Sequence, residues 1–150
     1  MKTALIIIII VLIVIIGIII SFYMLGTSLS YNMRYEKENE NKNIKIIRDK
    51  SSFSDFYVEN NTVYLKSSIS LQNLREETTN IKIYANFDKD MKRGLLKSSE
   101  LQGYNEELTI SEFTLEPGEN VGIPVTFIGE FAGKKQKINR LLPPIRVVEV

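Results

Sequence analysis

Residues 80–87 read NIKIYANF, which puts Ile81, Ile83, Ala85 and Phe87 on one face of an extended chain and Lys82, Tyr84 and Asn86 on the other. Alternation with a period of two predicts a half-buried β-strand, because a helix would scatter the same four apolar groups around its circumference. The same phase recurs in TVYLKSSISLQN, residues 62–73, where Val63, Leu65, Ile69 and Leu71 keep it and Ser67 interrupts it. It recurs again in Val121, Ile123, Val125 and Phe127. Weaker strand patterns occupy residues 44–47, 53–58, 108–115 and 145–150. Turn-forming clusters separate these segments at Asn60-Asn61, Arg75 to Asn80, Pro117-Gly118 and Pro143-Pro144. About seven strands at this spacing predict an all-β fold, an immunoglobulin-like antiparallel β-sandwich over residues 44–150. After residue 50 only MKRGLLKSSEL, residues 91–101, has room for a turn or short helix. Pro124 has no N–H to give a ladder, so its strand is expected to be an edge or to carry a bulge.

Upstream, the pattern is different in kind. From Ala4 to Leu25 the chain runs ALIIIIIVLIVIIGIIISFYML without a charge, a helix of roughly 33 Å if continuous, which is enough to cross a bilayer. Isoleucine surrounds it, leaving no polar face for lying flat on a membrane. Phe22 and Tyr23 stand at its distal end, where amphipathic rings settle among headgroups. Residues 1–26 are therefore expected to be a single N-terminal transmembrane anchor held by the lipid bilayer through residues 4–25. The rival is a cleavable signal peptide ending near Gly26-Thr27-Ser28, against which the length of the apolar run speaks. Residues 27–43, which include the polar run YEKENENKN, are expected to be a stalk, either an open spacer or a short solvated helix. Arg34, Lys37, Lys42 and Lys45 follow the span and on a bare count favour keeping that side in the cytoplasm. Interleaved Glu36, Glu38 and Glu40, and the weak dependence of long domains on charge, favour an extracytoplasmic C-terminal domain on a cell membrane.

The 150 residues are 44% apolar and 25% charged, room for one ordinary domain beyond the anchor. Cysteine and histidine are both absent, which removes disulfides, thiolate nucleophiles, Cys/His zinc sites and Ser-His-Asp triads. No cofactor and no enzyme activity are expected. There are 19 basic residues, one of them Lys2, against 18 acids, so the region past the anchor is balanced and a nucleic-acid partner is not expected.

Ser70-Leu71-Gln72-Asn73, the strand Ile81 to Phe87 followed by Asp88, and Leu115-Glu116-Pro117-Gly118-Glu119 stand in an order that resembles the small immunoglobulin-like β-sandwich domains of exported prokaryotic proteins, the FxLYD type. The likeness covers about residues 62–131 and lacks the glycine that often precedes the Asn-containing turn. It implies an extracytoplasmic binding or accessory module without catalysis, and it carries no ligand residues across.

Few constellations carry chemistry. Asn86, Asp88 and Asp90, two apart, would aim three oxygens to one side of a straight strand, as Ca²⁺ requires. An EF-hand loop opening at Asn86 fails, with Met91 and Lys97 where glycine and glutamate are needed. Glu106 with Glu107, and Glu116 with Glu119, are carboxylate pairs that exposed turns explain. Residues 98–133 hold seven glutamates and no base, whereas Lys134, Lys135, Lys137, Arg140 and Arg146 follow before the next acid. These runs either neutralise each other across folded strands or leave the Lys134 to Lys137 turn facing anionic headgroups or an anionic envelope polymer. Leu141 to Ile145 is a proline-stiffened connection packed on the core or an exposed docking strip. Asn60-Asn61-Thr62 matches the N-glycosylation acceptor pattern, a common coincidence. The expected role is that of a noncatalytic interaction or structural module of the cell envelope, with Pro124, Lys134, Lys135, Lys137 and Arg140 as its interaction candidates and a protein or anionic polymer as its partner. The alternatives are an accessory subunit of a larger membrane assembly, to which Gly17 and Ser21 hint, and a cation-binding envelope sensor using Asn86, Asp88 and Asp90.

Overall fold

The computed structural model describes residues 11–24, 26, 41–135 and 141–150. The chain divides into two compact units, Met1–Lys37 and Glu38–Val150. In the first, residues 11–24 form helix α1, whose side chains are exposed on every side, in keeping with a sequence that has no polar face. Among the described residues no helix is long and apolar enough to cross a membrane. The span read from Ala4 to Leu25 lies partly outside them, since residues 1–10 and 25 are not described, and most of the stalk, residues 27–40, lies outside as well. Ser21 Oγ donates to the Gly17 carbonyl at 2.9 Å, so the small-residue pair is engaged within its own helix.

The second unit is an antiparallel β-structure. Its strands are β1 (Ile44–Ile46), β2 (Ser52–Glu59), β3 (Thr62–Asn73), β4 (Thr79–Asn86), β5 (Glu100–Tyr104), β6 (Phe113–Leu115), β7 (Asn120–Glu130) and β8 (Ile145–Glu149). A 3₁₀ turn, Arg48–Lys50, separates β1 from β2, and a short helix α2, Asp88–Lys92, follows β4. The sheet runs β1-β3-β7-β5-β4-β6, with β2 beside β3 and β8 beside β4. β7 pairs with β3 from Thr62↔Glu130 to Gln72↔Asn120, while β2 and β1 share the other edge of β3 in succession.

Strand β5 joins the two halves of this sheet. Its residues Glu100 to Gln102 pair with β4, and its last two, Gly103 and Tyr104, pair with Phe127 and Thr126 of β7. Gly103 makes that passage possible: a Cβ there would lie 2.4 Å from Val125 Cγ1 and 3.1 Å from Phe127 Cε1. The sheet curls, and its inner faces share one core of Val63, Leu65, Ile69 and Leu71 from β3, Ile123, Val125 and Phe127 from β7, Ile81, Ile83 and Ala85 from β4, and Ile145 and Val147 from β8. Phe87 meets Phe127 edge to face, with ring centroids 5.6 Å apart.

The alternation read in residues 80–87 is present as expected, with Ile81, Ile83, Ala85 and Phe87 buried and Lys82, Tyr84 and Asn86 turned outward. Ser67, the interruption in β3, keeps the inward phase and is buried, with no hydrogen-bond partner for its hydroxyl. Asn60 and Asn61 both take positive φ, 47° and 63°, closing the β2–β3 hairpin with the two-residue turn their side chains tolerate best. The described residues form eight strands, close to the seven or so expected. The region 108–115 contributes only Phe113–Leu115; the turn or short helix expected over 91–101 is present as the last residues of α2 and a turn at Arg93-Gly94, and β5 takes only the final two residues of that stretch. The helix sits earlier, at Asp88–Lys92, and Leu95 and Leu96 after it are buried in the core.

Asn73, at the end of β3, is fully buried and fully used. Its Nδ2 donates to the carbonyls of Glu77 at 2.9 Å and Leu115 at 3.1 Å, and its Oδ1 accepts from the Arg75 N–H at 2.9 Å. One side chain thereby ties the β3–β4 connection to the end of β6.

Candidate interaction surface

Pro124 stands in the half of β7 that is paired on one side only. Residues 120–125 carry the β3 ladder, but β5 reaches only Thr126 and Phe127, so the other edge of that half has no described strand beside it. The sequence expectation of an edge is met locally rather than for the whole strand: proline is tolerated where a missing N–H interrupts no second ladder. Pro124 is exposed and lies opposite Ser68.

Lys134 and Lys135 are exposed beyond the far end of the same strand. The Lys134 N–H donates to the Gly94 carbonyl at 3.0 Å, and Ala132 N–H to Leu95 O at 2.9 Å, which fixes the backbone from which these lysines project. Lys137 and Arg140 lie outside the described residues. Pro124 to Glu130 alone spans roughly 20 Å of extended chain, so Pro124 and the lysines belong to separate surfaces.

The straight strand on which a cation site at Asn86, Asp88 and Asp90 depends is not formed. β4 ends at Asn86 and the chain turns into α2 at Asp88. Asn86 Oδ1 accepts the Asp88 N–H at 2.9 Å, Asp88 Oδ2 pairs with Lys92 at 2.6 Å, and Asp90 is buried. In helical geometry residues two apart point to nearly opposite sides, so the carboxylates of Asp88 and Asp90 diverge. Among the described residues no group of three or more His, Cys, Asp or Glu is placed to hold a metal ion.

The acidic run is largely answered by bases from elsewhere in the fold. Glu100 pairs with Arg146, Glu112 with Lys82 at 3.0 Å, and Glu130 with Lys97. The Lys82 ammonium is held above its ordinary pKa, first by its hydrogen bond to Glu112 and then by the same carboxylate's charge. Arg146 also lies over the Tyr84 ring at 4.7 Å, so the outer face of β4 and β8 is a set of closed ion pairs. Glu116 accepts from Thr78 Oγ1 at 2.8 Å, and Glu119 accepts the Glu116 N–H at 2.8 Å across the Pro117-Gly118 turn, so that carboxylate pair serves the turn. Glu106 and Glu107 are exposed and have no hydrogen-bond or ion-pair partner among the described residues.

The outer face of β2, β3 and β7 is aromatic instead. Tyr57 stacks on Tyr64 with centroids 4.7 Å apart, Lys66 Nζ lies 5.5 Å from the Tyr57 ring, and Ile128 stands opposite Tyr64. These rings satisfy each other across strands. Comparison with models of protein families, with curated proteins and with solved structures finds no match to this chain.

Proposed function

We propose that this chain is a membrane-tethered, extracytoplasmic, noncatalytic interaction or structural module of the cell envelope, its curled sheet an immunoglobulin-like sandwich. The observation that carries the reading is the uncharged apolar run from Ala4 to Leu25, set ahead of a separate compact β unit beginning at Glu38. A tether of this kind raises the effective concentration of the unit toward membrane or wall partners, so a weak interface suffices.

Membrane fractionation tests the tether. The full chain is expected to sediment with membranes, to resist alkaline carbonate and to be released by detergent, whereas a chain beginning at Glu38 stays in the supernatant. Release of the full chain by carbonate would overturn the reading.

A further inference from the structure

The connection between β5 and β6, residues 105–112, presents apolar side chains on an unusual backbone. Leu108 has φ +59°, and every other described residue with positive φ is asparagine or glycine: Asn60, Asn61, Gly94, Gly118 and Gly133. Those residue types take the left-handed conformation at little cost, whereas a leucine there is strained by its Cβ. Both Leu108 and its neighbour Ile110 keep apolar surface in solvent, 36% and 53% exposed.

The loop is nonetheless firmly built. The Asn105 N–H donates to Ile110 O at 2.8 Å and the Leu108 N–H donates to Asn105 O at 3.0 Å. Asn105 Oδ1 accepts the N–H groups of Thr109 at 2.9 Å and Ile110 at 3.0 Å. Such a clamp fixes the backbone that carries both partly exposed apolar side chains before any partner arrives, which lowers the ordering cost of binding. Beside them stand Glu106 and Glu107, which have no described partner while Glu100, Glu112, Glu116, Glu119 and Glu130 of the same acidic run are all engaged.

We propose that this loop is a preformed docking tip that seats Leu108 and Ile110 in an apolar recess of a partner protein whose rim carries Lys or Arg facing Glu106 and Glu107. Charge complementarity selects that occupant. Anionic headgroups would repel the two carboxylates, and a second copy meeting this one tip to tip would bring the same acidic loop against itself. The proposal rests on the reading of the chain as an interaction module but not on which side of the membrane it faces.

Photocrosslinking of the full chain in its own cells tests it, with p-benzoylphenylalanine at Ile110 and, as a control, at Tyr57. A discrete protein adduct is expected from position 110 and not from 57, mapping to an apolar site with Lys or Arg beside it. Leu108→Asn relieves the left-handed backbone and gives up the covered part of the leucine, two opposing effects, so the melting temperature stays close to that of the parent while the adduct yield falls about tenfold, the equivalent of about 1.4 kcal/mol. Glu106→Lys with Glu107→Lys lowers the yield in the same sense. No adduct above control, an adduct to lipid or to a second copy, or a yield untouched by Leu108→Asn overturns the proposal. Carbonate resistance of the full chain together with any of those results would remove the docking tip and leave the tethered module standing.

Discussion

Replacing Gly103 by alanine adds a single methyl group where β5 leaves β4 for β7, and its effect follows from the crowding there. The new Cβ would lie 2.4 Å from Val125 Cγ1, 3.1 Å from Phe127 Cε1 and 3.2 Å from the Ile83 carbonyl oxygen. Val125 and Phe127 are both buried and packed, and the third neighbour is backbone, so none of the three can move aside cheaply. Overpacking of this kind costs about 1–3 kcal/mol. The smaller entropy of the unfolded alanine chain offsets about 0.4–1 kcal/mol of it. A net loss of about 1–2 kcal/mol is expected, or roughly 5–10 °C in melting temperature for a unit of this size. Gly122→Ala in β7 is the matched control, because its Cβ would meet only Ser70 Oγ at 3.6 Å and Ser68 Oγ at 3.9 Å. That variant should be neutral or more stable by up to about 1 kcal/mol. Urea unfolding of residues 38–150 followed by circular dichroism reads both. A Gly103→Ala unit as stable as the parent would refute the description of β5 as a strand threaded between Val125 and the β4 backbone.

Asn73→Ala removes two donors from the Glu77 and Leu115 carbonyls and one acceptor from the Arg75 N–H, and is expected to cost about 2–4 kcal/mol in the same urea titration. Ser67→Ala deletes a buried hydroxyl that has no partner and should raise stability by about 1 kcal/mol; a loss would mean the hydroxyl is satisfied. The Lys82 ammonium is held above the ordinary 10.5, so whatever stability it lends is fully present below that pH and is lost as pH rises through the folded value. Glu112→Gln should move the Lys82 midpoint, read by NMR, back down toward the ordinary value.

Much of the sheet was legible because alternation reports burial directly. Ile81, Ile83 and Ala85, and Val63 to Leu71, read as inward faces since a half-buried strand leaves no other economical pattern. Asn60-Asn61 and Pro117-Gly118 were legible as turns because their backbone requirements select those residues. β5 was not legible. Five residues with a glycine in fourth place, paired with one strand at one end and another at the other, leave no clean period. The candidate sites were less legible still. Asn86, Asp88 and Asp90 assumed a strand that runs on, whereas Asn86 bonds the Asp88 N–H and the chain turns helical there. The clamp at Asn105 and the left-handed Leu108 left no signal in the sequence, since neither residue type nor spacing marks a leucine held at positive φ.

Accessibility of a single cysteine at Lys135 tests the central claim most directly. The chain has no native cysteine, and Lys135 is exposed. An extracytoplasmic β unit predicts labelling of Lys135→Cys by a membrane-impermeant thiol reagent in intact cells, to the extent seen after lysis. Labelling only after lysis would place the unit in the cytoplasm and contradict the account of an exported, tethered module.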